Sequence, residues 1–256
     1  MIINSRVFGK SDNKLIILHG FLGSLDNWIT IAKKISDLDF EVHIVDQRNH
    51  GKSFHSENHS YELMALDLRN YIEHFHFDKA SIIGHSMGGK TACYFALNHS
   101  NMVDKLIIVD ILPIKYKKDY NLIFRALSTI DLNSISNRFD IDNHLKKFFK
   151  DKLFISFLSK NLVRSKDGSF RFKCNLSSLI NNIDNILDQI NSNIFYEGKT
   201  FFIKGLNSDY ITDEGLKRTK MLFPNYNLIP VEEGGHWLHH EKQKDFFNIC
   251  KELLTT

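Results

Sequence analysis

Ala80-Ser81-Ile82-Ile83-Gly84-His85-Ser86-Met87-Gly88-Gly89-Lys90-Thr91 decides how this chain is read. A short apolar run stops at a glycine, and Thr91, Ala92, Phe95 and Ala96 then recur at helical spacing. Between strand and helix lies the pattern G-x-S-x-G. So sharp a turn strains its central residue, and small neighbours give it room. Ser86 is expected to carry its hydroxyl above the sheet, at the start of the next helix. There the helix dipole and the Met87 N–H favour a developing oxyanion.

The same letters satisfy a second pattern, Gly84-x-x-x-x-Gly89-Lys90-Thr91, the phosphate loop of nucleotide-binding proteins. In that reading Lys90 contacts phosphates and Thr91 holds magnesium. Leu106 to Val109 followed by Asp110 also imitates a metal-binding strand end. This alternative leaves His19-Gly20, the serine and the late Gly235-His236 without a task. Under the serine reading, Lys90 is a solvated residue of the first helical turn and Thr91 faces the core.

Working outward, Leu15 to Leu18, Val42 to Val45 (interrupted only by His43) and Leu106 to Val109 are further apolar runs, as expected of parallel strands covered on both faces. Helical patterns fall between them: Trp28, Ile31, Ile35 and Leu38, then Met64, Leu68, Tyr71, Ile72 and Phe75. The alternation predicts an α/β fold with a mostly parallel, doubly wound sheet. After Pro113 the pattern changes. Helical stretches are expected near 119–131, 136–150, 152–163 and 175–190, with a short strand at Ser169 to Lys173. Strand patterns return at Phe201 to Ile203 and Leu228 to Val231, and a last helix is expected near 240–254. Residues 1–112 and 197–256 therefore read as one core, and 113–196 as a helical lid inserted between two strands. The insertion holds nine of the 21 phenylalanines.

Composition narrows the classes. Of 256 residues, 13 are glycine and 3 proline, while 43% are hydrophobic and 25% charged, which excludes collagen, low-complexity disorder and a small disulfide scaffold. The net charge of +3 comes without a basic block, so no nucleic-acid partner is expected. Cys93, Cys174 and Cys250 are odd in number and far apart, which fits reduced thiols. Met1 to Lys10 lacks the long apolar run of a signal peptide, and no run of about 18 apolar residues would span a membrane. A cytoplasmic location is expected.

A serine nucleophile needs a base. Gly234-Gly235-His236-Trp237 follows the last strand, and two glycines let its loop bring an imidazole to Ser86. His239 and His240 read as surface or rim residues, because no carboxylate or cysteine completes a metal set with them. Trp237 is expected to touch substrate. The third member must be a carboxylate that orients the imidazole. Asp110 and Asp209 both follow strands, at the ends where such folds place their sites. Spacing does not choose between them. His19-Gly20-Phe21 offers a second oxyanion donor, the Phe21 N–H. Asp46 to Ser53, DQRNHGKS, reads as a structural loop beside the site.

Taken together, HGFLGSLDNW, DQRNHGKS, GHSMGGK and GGHW resemble the α/β-hydrolase superfamily. Over nearly the whole chain the match is to bacterial YbfF-type esterases and their eukaryotic abhydrolase-11 relatives. VDILPIKY, DGSFRFKCNL and GLNSDYIT add to it. The resemblance implies a serine hydrolase with a helical lid, acting on short carboxylic esters and acyl-CoA thioesters without a cofactor. A lyase or a carbon–carbon bond hydrolase would use the same three residues. The resemblance also implies Asp110 as the acid, since the aspartate of VDILPI holds that place in these esterases. Many other α/β-hydrolases use the later loop, which here holds Asp209.

Overall fold

The computed structural model describes residues 1–256. Its sheet is assembled from the apolar runs and one strand that has none. Strand β1 (Ser5–Phe8) leads into β2 (Lys14–Leu18), a 3-10 turn at Leu25–Trp28 and helix α1 (Ile29–Ser36). Then come β3 (Glu41–Val45), α2 (Tyr61–His74), β4 (Ala80–His85), α3 (Met87–Asn98) and β5 (Val103–Val109). The insertion carries α4 (Asn121–Ser128), α5 (Arg138–Leu145), α6 (Lys152–Ser159), a hairpin of β6 (Leu162–Arg164) and β7 (Phe170–Phe172), α7 (Leu176–Asn181) and α8 (Ile183–Leu187). The chain ends with β8 (Lys199–Gly205), α9 (Asp213–Leu222), β9 (Tyr226–Val231), α10 (Leu238–Glu241) and α11 (Gln243–Thr255).

The main sheet has the order β1-β3-β2-β4-β5-β8-β9, and only the β1–β3 pair is antiparallel. Successive side chains of a strand face opposite ways. Ile16 and Leu18 therefore enter a core with α2 and α3, whereas Leu15 and Ile17 enter another with α1 and α11. Both faces are covered, which is why Leu15 to Leu18 are apolar at successive positions. β1 gave no such signal because it is a half-exposed edge strand.

A third core joins the insertion to the α/β body: Phe21, Leu22, Tyr61, Met64 and Met87 meet Phe124, Leu127, Leu158 and Leu179. The helices here are shorter than the apolar spacing predicts. α6 stops at Ser159, and Leu162 and Val163 pair with Arg171 and Phe172 instead of extending the helix. The expected helix at 175–190 is broken at Asn182, which leaves helical geometry with φ −110° and ψ 16°.

Lys90 corrects its sequence reading. It is 1% exposed, and its ammonium donates to the carbonyls of Ile114 (3.2 Å), Ile186 (3.2 Å) and Asp188. It also lies 4.8 Å from the centre of the Tyr61 ring. A lysine buried this deeply must spend its donors on protein acceptors. Here those acceptors lie at the two ends of the insertion. Thr91 is buried as expected, its hydroxyl bonding Gln47 Oε1 at 3.0 Å and Met87 O at 3.1 Å.

Candidate active site

Ser86 closes the turn between β4 and α3 with φ 52° and ψ −119°, a left-handed conformation that a side-chain-bearing residue adopts only under tertiary constraint. Gly88 permits it. A Cβ there would stand 2.5 Å from Leu18 O and 2.6 Å from His19 O, both backbone atoms that cannot give way. With α3 starting at Met87, the Met87 N–H belongs to the first helical turn, which has no intrahelical acceptor.

His236 arrives from the loop after β9. Its Nε2 is 3.1 Å from Ser86 Oγ, and its Nδ1 is 2.8 Å from Asp110 Oδ2. Asp110 is fully buried at the end of β5 with φ 49°. It accepts the Gly205 N–H (3.1 Å) on Oδ1 and the Ser208 hydroxyl on Oδ2. Those donors satisfy a buried carboxylate and fix its plane toward His236. Asp209, the other acid considered, is not brought to His236. It is exposed and bonds Lys118 Nζ at 2.6 Å, and that ammonium holds its carboxyl below the usual range.

The loop after β2 faces Ser86 from the other side. Leu22 has φ 57°, and its N–H donates to His50 Nε2 at 3.2 Å. His19 Nε2 accepts the Gln47 N–H at 3.1 Å, and His19 O accepts the Gln47 side chain at 2.6 Å. The Asp46–Ser53 loop thus braces the loop that carries Phe21, in keeping with its expected structural part. It is braced in turn by Arg48, whose guanidinium grips Asp67 at 2.6 and 2.8 Å.

His239 departs from expectation. It is buried, with its ring stacked on Trp28 at 4.3 Å and 7°. His85 lies 4.5 Å from it, and its Nε2–H donates to His236 O at 2.8 Å. Burial keeps both imidazoles neutral, pushing His85 well below its ordinary value and His239 down to about 3. His240 is exposed, as expected.

A cavity of about 700 Å³ opens onto Ser86 and His236. Phe154, Phe157 and Trp237 form one aromatic wall, their ring centres 5.6 and 5.7 Å from Trp237. Phe21 and Tyr120 close another side, edge to face at 5.2 Å. Most phenylalanines of the insertion serve the lid's own core and do not reach the cavity.

The mostly parallel sheet that carries Ser86, Asp110 and His236 has counterparts among known proteins. The alpha/beta hydrolase fold profile matches residues 13–243. The chain belongs to the alpha/beta hydrolase family. This member is 33% identical to the sn-1-specific diacylglycerol lipase ABHD11 of Danio rerio, over 96% of this chain and 80% of that one. It is 30% identical to esterase YbfF of Escherichia coli, over 95% and 94%. A solved structure described as a marine microorganism esterase shares 40% of its residues, with a TM-score of 0.95 over 98% of this chain and 99% of that one. In this alpha/beta hydrolase no helix is long and apolar enough to cross a membrane.

Sequence reasoning missed Ser208, Tyr210 and His85 around the site. Ser208 and Tyr210 lay within GLNSDYIT, a stretch already noted without a task for either residue.

Proposed function

We propose that this alpha/beta hydrolase cleaves short carboxylic esters, and acyl-CoA thioesters with them, through an acyl-enzyme on Ser86. What carries the reading is the unbroken relay of Asp110, His236 and Ser86 at 2.8 and 3.1 Å on the wall of the cavity. His236 takes the Ser86 proton as Oγ attacks the carbonyl carbon. Asp110 holds the imidazole with Nδ1–H toward itself and stabilises the imidazolium. The Phe21 and Met87 amides receive the oxyanion. His236 then protonates the departing alcohol or thiol. Water attacks the acyl-Ser86 ester by the same route, releasing the acid and restoring the serine. The aromatic wall takes the acyl chain, with Trp237 in contact with substrate. The names of the esterase relatives support the ester class. No step calls for a cofactor or metal. Three buried, unpaired thiols suit a reducing compartment such as the cytoplasm.

A fluorophosphonate probe tests this. Labelling of Ser86 that Ser86→Ala abolishes supports it. Absence of labelling, together with an ATPase activity that Lys90→Ala removes, overturns it. A panel of p-nitrophenyl esters and acyl-CoAs of increasing length then ranks the two substrate types.

A further inference from the structure

Tyr210 is exposed to no task in the steps above, yet it touches the base. Its ring lies parallel to the His236 imidazole, centres 3.8 Å apart and planes 14° from parallel. The loop that carries it also holds the rest of the relay: Ser208 donates to Asp110, and the Tyr210 N–H donates back to Ser208 Oγ at 3.3 Å. The lid grips the same loop. The Tyr116 hydroxyl accepts the Leu112 N–H at 2.9 Å and donates to Tyr210 O at 2.8 Å. Lys118, also of the lid, bonds Asp209 and lies 4.7 Å from the centre of the Tyr210 ring.

Two hydrogen bonds fix an imidazole along the line joining its nitrogens but leave it free to rock about that line. A flat partner against its face removes that freedom. Only within a narrow range of tilt do Nδ1 and Nε2 address Asp110 and Ser86 together. An aromatic face also tolerates the positive charge that His236 gains when Ser86 attacks, because the ring's quadrupole is negative above its plane.

Resting on the acyl-enzyme reading, we propose that Tyr210 is a positioning residue: its ring sets the plane of His236, and the lid sets Tyr210 through Tyr116 and Lys118. The lid then does more than cover the acyl chain. Its first segment supports the wall behind the base, so displacement of residues 114–120 loosens the base as well as opening the cavity.

The test compares Tyr210→Phe, which keeps the flat face, with Tyr210→Leu, which removes it. Two readouts are needed. The first is NMR of the His236 ring protons in the full-length protein, which a ring stacked at this distance shields. The second is steady-state kinetics with p-nitrophenyl acetate. Tyr210→Phe should keep the shielding and kcat within about threefold, whereas Tyr210→Leu should move the ring protons downfield and lower kcat about tenfold at nearly constant KM, the size of one aromatic pair. Tyr116→Phe, which deletes only the lid's hydroxyl, should give a smaller shift in the same direction. Unchanged His236 shifts in Tyr210→Leu, or equal losses in the Phe and Leu variants, overturn the proposal. The NMR arm does not depend on turnover. A protein that fails to label at Ser86 would therefore overturn the hydrolase reading while leaving the ring contact separately tested.

Discussion

Asp110 and His236 meet at 2.8 Å although 126 positions separate them in the chain. The contact exists because β5 and β8 are neighbours in the sheet and the loop after β9 folds back over their ends. Asp209 lies in the loop beyond β8, so under the proposed mechanism a single substitution at each acid separates a partner of His236 from a bystander. Asp110→Asn should lower kcat about 10⁴-fold, the scale seen when a triad carboxylate becomes an amide. Asp209→Asn should stay within about threefold, since it loses only an exposed pair with Lys118. Turnover of p-nitrophenyl acetate by the two variants checks this. Equal losses would count against the assignment.

Lys90 ties the ends of the lid to α3. Lys90→Met leaves the carbonyls of Ile114, Ile186 and Asp188 without their donor, at about 1 kcal/mol or more for each. Burial pushes the Lys90 ammonium down to about 7, against a partial pull upward from Asp188. The unfolded chain then holds a proton between pH 7 and about 10.5 that the folded chain has released. Wild-type stability should accordingly rise with pH across that window, by at most about 1.4 kcal/mol per pH unit, relative to Lys90→Met. Guanidinium unfolding of both proteins at pH 7 and pH 9 measures the difference. A gap that does not change with pH would refute the prediction.

Acid should weaken the fold through its buried histidines. Burial lowers His59 and His239 from 6.5 to about 3. As pH falls from about 6.5 toward 3, the unfolded chain takes up protons that these folded imidazoles refuse, so stability is lost with falling pH by at most about 1.4 kcal/mol per unit for each group. His239→Phe, which keeps a ring against Trp28 and removes the titrating group, should lessen the fall. Thermal melts between pH 7 and pH 4.5 provide the measurement. An identical slope in wild type and variant would remove His239 from the explanation.

The aromatic wall should govern acyl length. Phe157→Ala removes one ring packed 5.7 Å from Trp237. With p-nitrophenyl butyrate, KM is expected to rise several-fold at nearly unchanged kcat, because lost apolar contact of about 1 kcal/mol is felt by ground and transition states alike. Longer acyl chains that fill the space should suffer less. A uniform fall in kcat across chain lengths would place Phe157 in the lid's stability alone.

Much of this was legible in one dimension. Apolar runs marked six of the sheet's seven strands, since a strand covered on both faces cannot hide its character. The turn at Gly84 to Gly88 announced itself for a related reason: beside the left-handed Ser86, the Leu18 and His19 carbonyls leave no room for a side chain at position 88. Short lid helices and the β6–β7 hairpin were less legible. Their apolar residues face a shared core from several directions, and that blurs any period.

The sequence by itself determined which residues could serve: a serine on a sharp turn, a histidine after the last strand, and two aspartates at strand ends. Which aspartate faces the imidazole was decided by tertiary structure. Asp110 turns inward at φ 49° toward Gly205 and Ser208, while Asp209 lies farther along its loop and is held by Lys118. The fates of Lys90 and His239 were decided the same way. A charged or polar residue is buried only where distant segments supply acceptors or a stacking face, and those partners come together only on folding.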